Sequence, residues 1–417
     1  MAEIKTARLS CGLELLVEPM SGVRSAAMTW LLPAGANREP TDLEGLGAMW
    51  ADLVFRGAGG RDARQHADAL DRLGVSRNAG GSTHAFRLTG TMLGDRVIAA
   101  LPLYADMVLA PRFEERDVAP VRDLCLAELL ALADDPHERV MLLAREWHMP
   151  PPLNRSGLGT PETLSAIDAP AARSQWRDLA RPVGSGIAIA GAVELGPIRD
   201  ELERLLGGWE GAPRDWATEG APQRGVIHLD DDTHQVHLAV VHDAPPESSP
   251  DAVLERLLTS VLSGGMSGRL FTEVREKRGL VYSVNARYAP SRDDGRTACY
   301  AGTTPERARE TLDVLLHELR RLTAQGEAGG VSESEFGRAL TGLKSGLVMS
   351  GESTAARASA LAGDWFTLGR PRTLGERLAE IDAVSLDALN AYAARRALGE
   401  ITVASIGPAG SMDAAAS

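Results

Sequence analysis

Short apolar runs with strand spacing alternate along the chain with longer segments whose apolar positions return every three or four residues. The pattern is stated twice, with a period of about 200 residues, a whole domain in length. SAAMTWLLPAGA (25–36) and QVHLAVVHDAPP (235–246) each predict a buried strand. Each is followed by an amphipathic helix running into a glycine-rich loop, LVFRGAGG in the first half and SVLSGGMSG in the second. Strands follow at 80–92 and 296–304, then a long helix, DRVIAALPLYADMVLA matching ERARETLDVLLHELRRL. A second acid-rich helix closes the series, FEERDVAPVRDLCLAELLALADD matching VSESEFGRALTGLKSGLV.

Between the halves, GAPRDWATEGAPQR (211–224) is rich in Gly, Pro and Ala and has no periodicity, as a linker would. The expected organisation is two homologous domains, 1–210 and 225–417, joined by 211–224. Strands followed by packed helices predict an α+β fold, each domain a mainly antiparallel sheet covered by helices. Two like lobes on one linker lead us to expect a cleft or cavity between them.

Composition narrows the function classes. At 417 residues the chain can bury more than one core, and a net charge of −13 argues against nucleic acid as a partner. Lys and Arg are interleaved with Asp and Glu, as in RDARQHADALDR, the pattern of solvated helix faces. Cys11, Cys125 and Cys299 are far apart and form no metal-binding spacing, which fits reduced thiols. The first residues show no apolar leader, and no apolar run approaches the ~18–20 residues that cross a bilayer. A cytoplasmic location without membrane contact is the expectation.

Two segments carry candidate chemistry. In GLGAMWADLVFRG (45–57), Leu46, Trp50, Leu53 and Val54 form the buried stripe of a helix, while Ala48, Ala51 and Asp52 form a bare second face. In GGMSGRLFTEVREKRGLVYSVNARY (264–288), residues 268–278 read as a helix with Leu270, Phe271 and Val274 inward, ended by Gly279 in a left-handed cap. LVYSVNARY then alternates as a strand, with Tyr282 and Val284 expected on one face and Val281 and Ser283 on the other. Arg275 and Tyr282 could meet there and grip a carbonyl or a developing oxyanion. The alternative is a surface pair of Arg275 with Glu273 or Glu276, and a Tyr282 that fills the core. HLDDDTHQVH (228–237) is the one His/Asp cluster, and His234 and His237 fall on opposite strand faces, unable to share an ion. His66 and His84 stand alone, and no phosphate loop, nucleophile elbow or dinucleotide fingerprint is present.

GGMSGRLFTEVREKRGLVYSV closely resembles the Arg/Tyr segment of the pitrilysin/insulinase family of zinc peptidases, which includes mitochondrial processing peptidase. TARLSCGLELLVEPMSGVRSAAMTWLLPAGANREP, GLGTPETLSAIDA and GERLAEIDAVSLDALNAYAARRALGEITVASIGP look like further family segments, so the resemblance spans nearly the whole chain. The family carries an inverted H-x-x-E-H zinc motif on the helix at 45–57. The resemblance places Ala48 and Asp52 at the histidine positions, Ala51 at the base, and Glu128 of LCLAELL at the later glutamate ligand.

With both imidazoles and the base replaced, the resemblance implies no metal in this chain and no hydrolysis by it alone. Some family members work as pairs of unlike subunits, in which one supplies zinc and the other supplies Arg and Tyr across a closed chamber. The expectation is therefore a non-catalytic, substrate-binding subunit of a heterodimeric zinc peptidase acting on unfolded peptides. Arg275 and Tyr282 would serve the zinc site of a homologous subunit with an intact H-x-x-E-H. The alternative is a catalytically silent structural or peptide-binding protein of the same fold.

Overall fold

The computed structural model describes residues 3–324 and 329–412. The first half forms strands β1 (Lys5–Arg8), β2 (Glu14–Pro19), β3 (Ser25–Leu32), β4 (Gly57–Ala58), β5 (Arg61–Asp62), β6 (Ser76–Gly81), β7 (Phe86–Leu93) and β8 (Gly186–Gly191). The second forms β9 (Gly225–Asp230), β10 (Val236–Asp243), β11 (Val281–Pro290), β12 (Gly295–Thr303) and β13 (Thr402–Gly407). Helices α1 (Leu46–Leu53), α2 (Ala63–Arg72), α3 (Val97–Leu109), α4 (Glu115–Ala133), α5 (Pro136–His148), α6 (Pro161–Ala166), α7 (Ala169–Leu179) and α8 (Leu195–Leu206) precede residue 211. Helices α9 (Ala252–Ser263), α10 (Ala308–Thr323), α11 (Glu333–Gly351), α12 (Thr354–Leu368), α13 (Leu374–Asp382) and α14 (Leu386–Arg395) follow it. Residues 211–219 carry no helix or strand.

The internal duplication is written into the sheets. One sheet runs β1-β2-β8-β3-β7-β6 and the other β11-β12-β10-β13-β9. Without β1, the first order matches the second read backwards, strand for strand. Even the directions agree: β2–β8 and β13–β9 pair parallel, and every other neighbour pairs antiparallel. The α+β class with mainly antiparallel sheets is thus observed.

The compact units depart from the contiguous division 1–210, 211–224 and 225–417 in two places. One unit comprises Met1–Ala131, Pro151–Glu219 and Ser350–Thr373; the other comprises Leu132–Pro150, Gly220–Met349 and Leu374–Ser417. Helix α12, from the second half, thereby packs on the sheet of the first. Ala358, Leu361 and Ala362 are buried against Leu16, Ala27, Leu31, Ala188 and Ala190. A Cβ at Gly186 would sit 2.3 Å from the Trp365 ring, so only glycine lets α12 lie this close to β8. Arg357 and Glu18, 3% and 7% exposed, pair at 2.8 Å beneath it. Helix α5 makes the reciprocal exchange. Its Val140 and Ala144 are fully buried against Ala239, Val241, Tyr300, Ala404 and Ile406. At its end the His148 ring is 2.9 Å from the Thr402 hydroxyl, and burial holds its pKa down at about 4. The sequence pattern singles out neither α5 nor α12, and which sheet each covers is not legible in it, because either sheet offers an equivalent apolar face.

No helix among the described residues is long and apolar enough to cross a membrane.

Candidate functional site

Helix α1 is set in place by its apolar stripe. Leu46, Met49, Trp50 and Leu53 are fully buried. The Trp50 ring meets Phe86 and Trp176 edge-on, and its N–H donates to the Ala172 carbonyl at 3.2 Å. The helix begins at Gly45 (φ 101°), which supplies no side-chain cap. Glu39 takes over that duty: its carboxylate accepts the backbone N–H groups of Gly45 and Gly47, each at 2.8 Å. This residue was missed from sequence. The available signal was negative, a helix start with no Ser, Thr, Asp or Asn at the cap position.

Glu39 has a measurable consequence. Burial pushes its pKa up to about 7, against the lowering effect of the two N–H donors and of Arg155. Its folded pKa lies above the ordinary carboxylate value, so its contribution to stability is complete below about pH 4.5 and is lost as pH rises through 7. Glu39→Gln should therefore gain thermal stability relative to the parent between pH 5 and 8, as a slope in the midpoint difference measured by calorimetry. The buried His148 works in the opposite sense: its stabilisation is complete above pH 6.5 and is lost toward pH 4.

The bare face of α1 is as expected in position. Ala48, Ala51 and Asp52 are half-buried beside edge strand β6, where a Cβ on Gly81 would lie 3.1 Å from the Gly47 Cα. From α4, Glu128 is exposed while Cys125 is buried. Burial first, then the carboxylates of Glu128 and Asp52, push the Cys125 thiol up to about 11, which brings the two acids to a common neighbourhood. That donor set does not fit a catalytic zinc. Two alanine methyls contribute nothing, leaving two carboxylates where three protein ligands are needed. Among the described residues no group of three or more His, Cys, Asp or Glu is placed to hold a metal ion.

Arg275 and Tyr282 lie on a segment built differently from its sequence pattern. Leu270 and Val274 are buried as expected, and Gly279 (φ +62°) ends the turn with its N–H donating to the Arg275 carbonyl at 3.0 Å. Residues Phe271–Glu276, however, wind as a π-helix, with the Lys277 N–H donating to the Thr272 carbonyl at 3.0 Å. The wider turn rotates Arg275 outward, where its guanidinium lies 4.9 Å from the Phe271 ring centre. Glu273 is instead held by Lys277 at 2.8 Å and Arg278 at 3.0 Å. Arg269, 6% exposed, anchors the start of the segment by pairing with Glu335 of α11 at 2.5 Å. Burial works against the Glu335 charge, yet Arg269 and Ser332 hold its pKa at about 2.

The expected faces of the following strand need correction. A β-bulge falls between Val281 and Ser283, which pair with the consecutive residues Thr303 and Gly302 of β12. Tyr282 is the extra residue. Val281 thus joins Val284, Ala286 and Tyr288 on the inner face, and Tyr282 is extruded, 69% exposed. Strict alternation would have buried the ring; the bulge presents it to solvent beside the Gly279 turn. Neither the Arg275 guanidinium nor the Tyr282 hydroxyl makes a hydrogen bond among the described residues. The molecule displays both groups and spends neither on an internal hydrogen bond.

Comparison with known proteins agrees with this architecture. The family model described as Insulinase (Peptidase family M16) matches residues 17–153, and the Peptidase M16 inactive domain model matches residues 170–343. A Bacillus subtilis protein named an uncharacterized zinc protease is 27% identical over 413 residues, covering 97% of this chain and 99% of that protein. A Mycobacterium bovis protein of the same description is 28% identical, covering 96% and 92%. In fold, the chain is similar to a peptidase M16 inactive domain from Pseudomonas fluorescens (TM-score 0.86, 19% identity, 97% and 98% covered). It is likewise similar to a protease from Helicobacter pylori (TM-score 0.86, 17% identity, 98% and 100% covered). Two matched models of one family, on a duplicated fold with that family's outline, lead to a single conclusion: the chain belongs to the M16, or insulinase, peptidase family.

Proposed function

We propose that this chain is the substrate-binding, non-catalytic subunit of a heterodimeric zinc peptidase that acts on unfolded peptides. One observation carries the reading: the second face of α1 keeps Asp52 but no imidazole and no base, while Arg275 and Tyr282 are held outward by a π-helix and a bulge with no hydrogen bond among the described residues. Both devices cost backbone regularity, and re-aiming a side chain is a recurrent use of each. In this reading the partner is a homologous subunit with an intact H-x-x-E-H motif, and it supplies the zinc. Arg275 and Tyr282 donate hydrogen bonds to the carbonyl oxygen of the peptide as negative charge develops there. A reducing, cytoplasmic setting suits the three unpaired cysteines.

The zinc requirement can be read on this chain alone. Equilibrium dialysis should find no retained zinc on the parent protein. The variant carrying Ala48→His, Ala51→Glu and Asp52→His restores two imidazoles at i and i+4, with Glu128 on the neighbouring helix as third ligand. It should bind about one equivalent. Failure of that variant to bind zinc while remaining folded would show that α1 is not a former metal helix.

A second reading rests on a different similarity. A chain of Complex III2 from Candida albicans shares the fold (TM-score 0.83, 17% identity, 97% and 96% covered). A silent structural or peptide-binding role predicts that the purified chain leaves the activity of every H-x-x-E-H homologue unchanged.

A further inference from the structure

The two matched sheets differ at one edge. In the first, β1 covers β2, pairing with it antiparallel over four residues. The counterpart of β2 in the second sheet is β9, and no strand lies beyond it. Register shows where its unused backbone groups point. Gly407 of β13 pairs with Asp230, and its carbonyl accepts the Asp231 N–H at 2.9 Å. Alternate residues of a parallel strand turn both backbone groups to the same neighbour, so Ile227 and Leu229 face β13. Val226, His228 and Asp230 then direct three N–H and three C=O groups outward, where no backbone partner meets them among the described residues. An open edge is commonly blunted by brevity, charge or a bulge. β1 has four residues with Lys5 and Arg8, and β11 has its bulge and Arg287. β9 has six residues without lysine, arginine or proline; Val226 is 70% exposed, and the one acid, Asp230, is the last residue.

Negative charge gathers at the carboxyl end of that edge, where Asp230, Asp231 and Asp232 follow one another. Arg139 pairs with Asp231 at 2.5 Å, and Asp230 lies 3.3 Å from the His228 ring, a charge partner only when that ring is protonated. Asp232 is exposed. We infer that β9 docks an extended, basic segment of another protein, which adds to the second sheet as a sixth strand antiparallel to β9. That direction sets the segment's amino-terminal end beside the aspartates, so it begins with Lys or Arg. Directly opposite residues share a face. The segment is therefore basic opposite Asp230, polar opposite His228 and apolar opposite Val226, with apolar residues between them beside Leu229 and Ile227. A second copy of this chain fits poorly. Its β9 brings no cation to the aspartates, and Arg224 just ahead of it is bound to Asp243 through two hydrogen bonds of 2.8 Å. β9 and β11 are opposite edges of one sheet, so this surface goes beyond the carbonyl-gripping role and does not depend on it.

The test uses the full chain and the fluorescently labelled peptide Lys-Thr-Lys-Val-Thr-Val-Ile, blocked at both ends. In the free chain the amides of Val226, His228 and Asp230 should exchange with deuterium about tenfold faster, or more, than those of Ile227 and Leu229. Adding the peptide should slow those three by about tenfold. Fluorescence anisotropy should show affinity falling about tenfold when the threonine between the valines is N-methylated, which removes one donor to β9. Asp230→Lys, at an exposed position, should weaken binding by a similar factor and favour the peptide with Glu in place of both lysines, at an unchanged thermal midpoint. No binding at about 1 mM peptide, equal binding of the N-methylated peptide, or protection that appears in 281–290 instead would overturn the docking edge. So would a dimer in gel filtration whose formation slows the same three amides, since it assigns the edge to a second copy.

Discussion

Tyr282→Phe and Arg275→Ala should each lower turnover of the mixed complex by on the order of a hundredfold while leaving its assembly unchanged, because each removes one donor to the developing oxyanion. The structure gives reasons to expect such separation. Tyr282 is 69% exposed on its bulge and Arg275 is exposed beside the Phe271 ring, so neither side chain supports the core. The phenylalanine variant deletes one oxygen and nothing else. Turnover of a quenched peptide by the partner with parent or variant chain, alongside gel filtration of the same mixtures, checks both halves of the expectation. A Tyr282→Phe complex with full activity would remove the ring from the chemistry. Loss of the complex in gel filtration would make the residue an assembly contact instead.

Glu255→Ala is expected to destabilise the second unit by about 3–5 kcal/mol, the cost of stranding a buried charge. Glu255 is 1% exposed on α9 and accepts three partners: the Thr297 hydroxyl at 2.8 Å, the Tyr392 hydroxyl at 2.8 Å, and the Arg396 guanidinium at 3.1 Å. Arg396 is only 3% exposed, so without Glu255 its charge has neither water nor counter-ion. The node ties β12 and α14 to the helix that runs into the glycine-rich loop ahead of Arg275. Glu255→Gln keeps one acceptor oxygen and the side-chain volume and should lose less. Urea midpoints of the three proteins, with the slope of the transition compared among them, decide the matter. Equal midpoints for parent and alanine variant would show that Arg396 finds water or another acceptor.

Much of this molecule can be read along its chain. The duplicated order of strands and helices follows from apolar periodicity, and the matched sheets bear it out down to which pairs run parallel. The stripe of α1 was legible because Leu46, Trp50 and Leu53 return at helical spacing, and so was the bareness of its other face. What escaped depends on register and on long-range choice. A bulge at Tyr282 leaves no mark in a strand pattern, since one extra residue only shifts parity. The π-helical winding still buries Leu270 and Val274, while Phe271, expected inward, is half-buried beneath Arg275.

The exchange of α5 and α12 has a consequence for how the protein can come apart. Cutting the chain near residue 215 would not release two autonomous lobes. The first piece would leave Leu16, Leu31 and Ala188 open to water for want of α12, and the second would leave Val241 and Ile406 open for want of α5. Each copy of the duplication is thus completed by a helix drawn from the other copy's stretch of sequence.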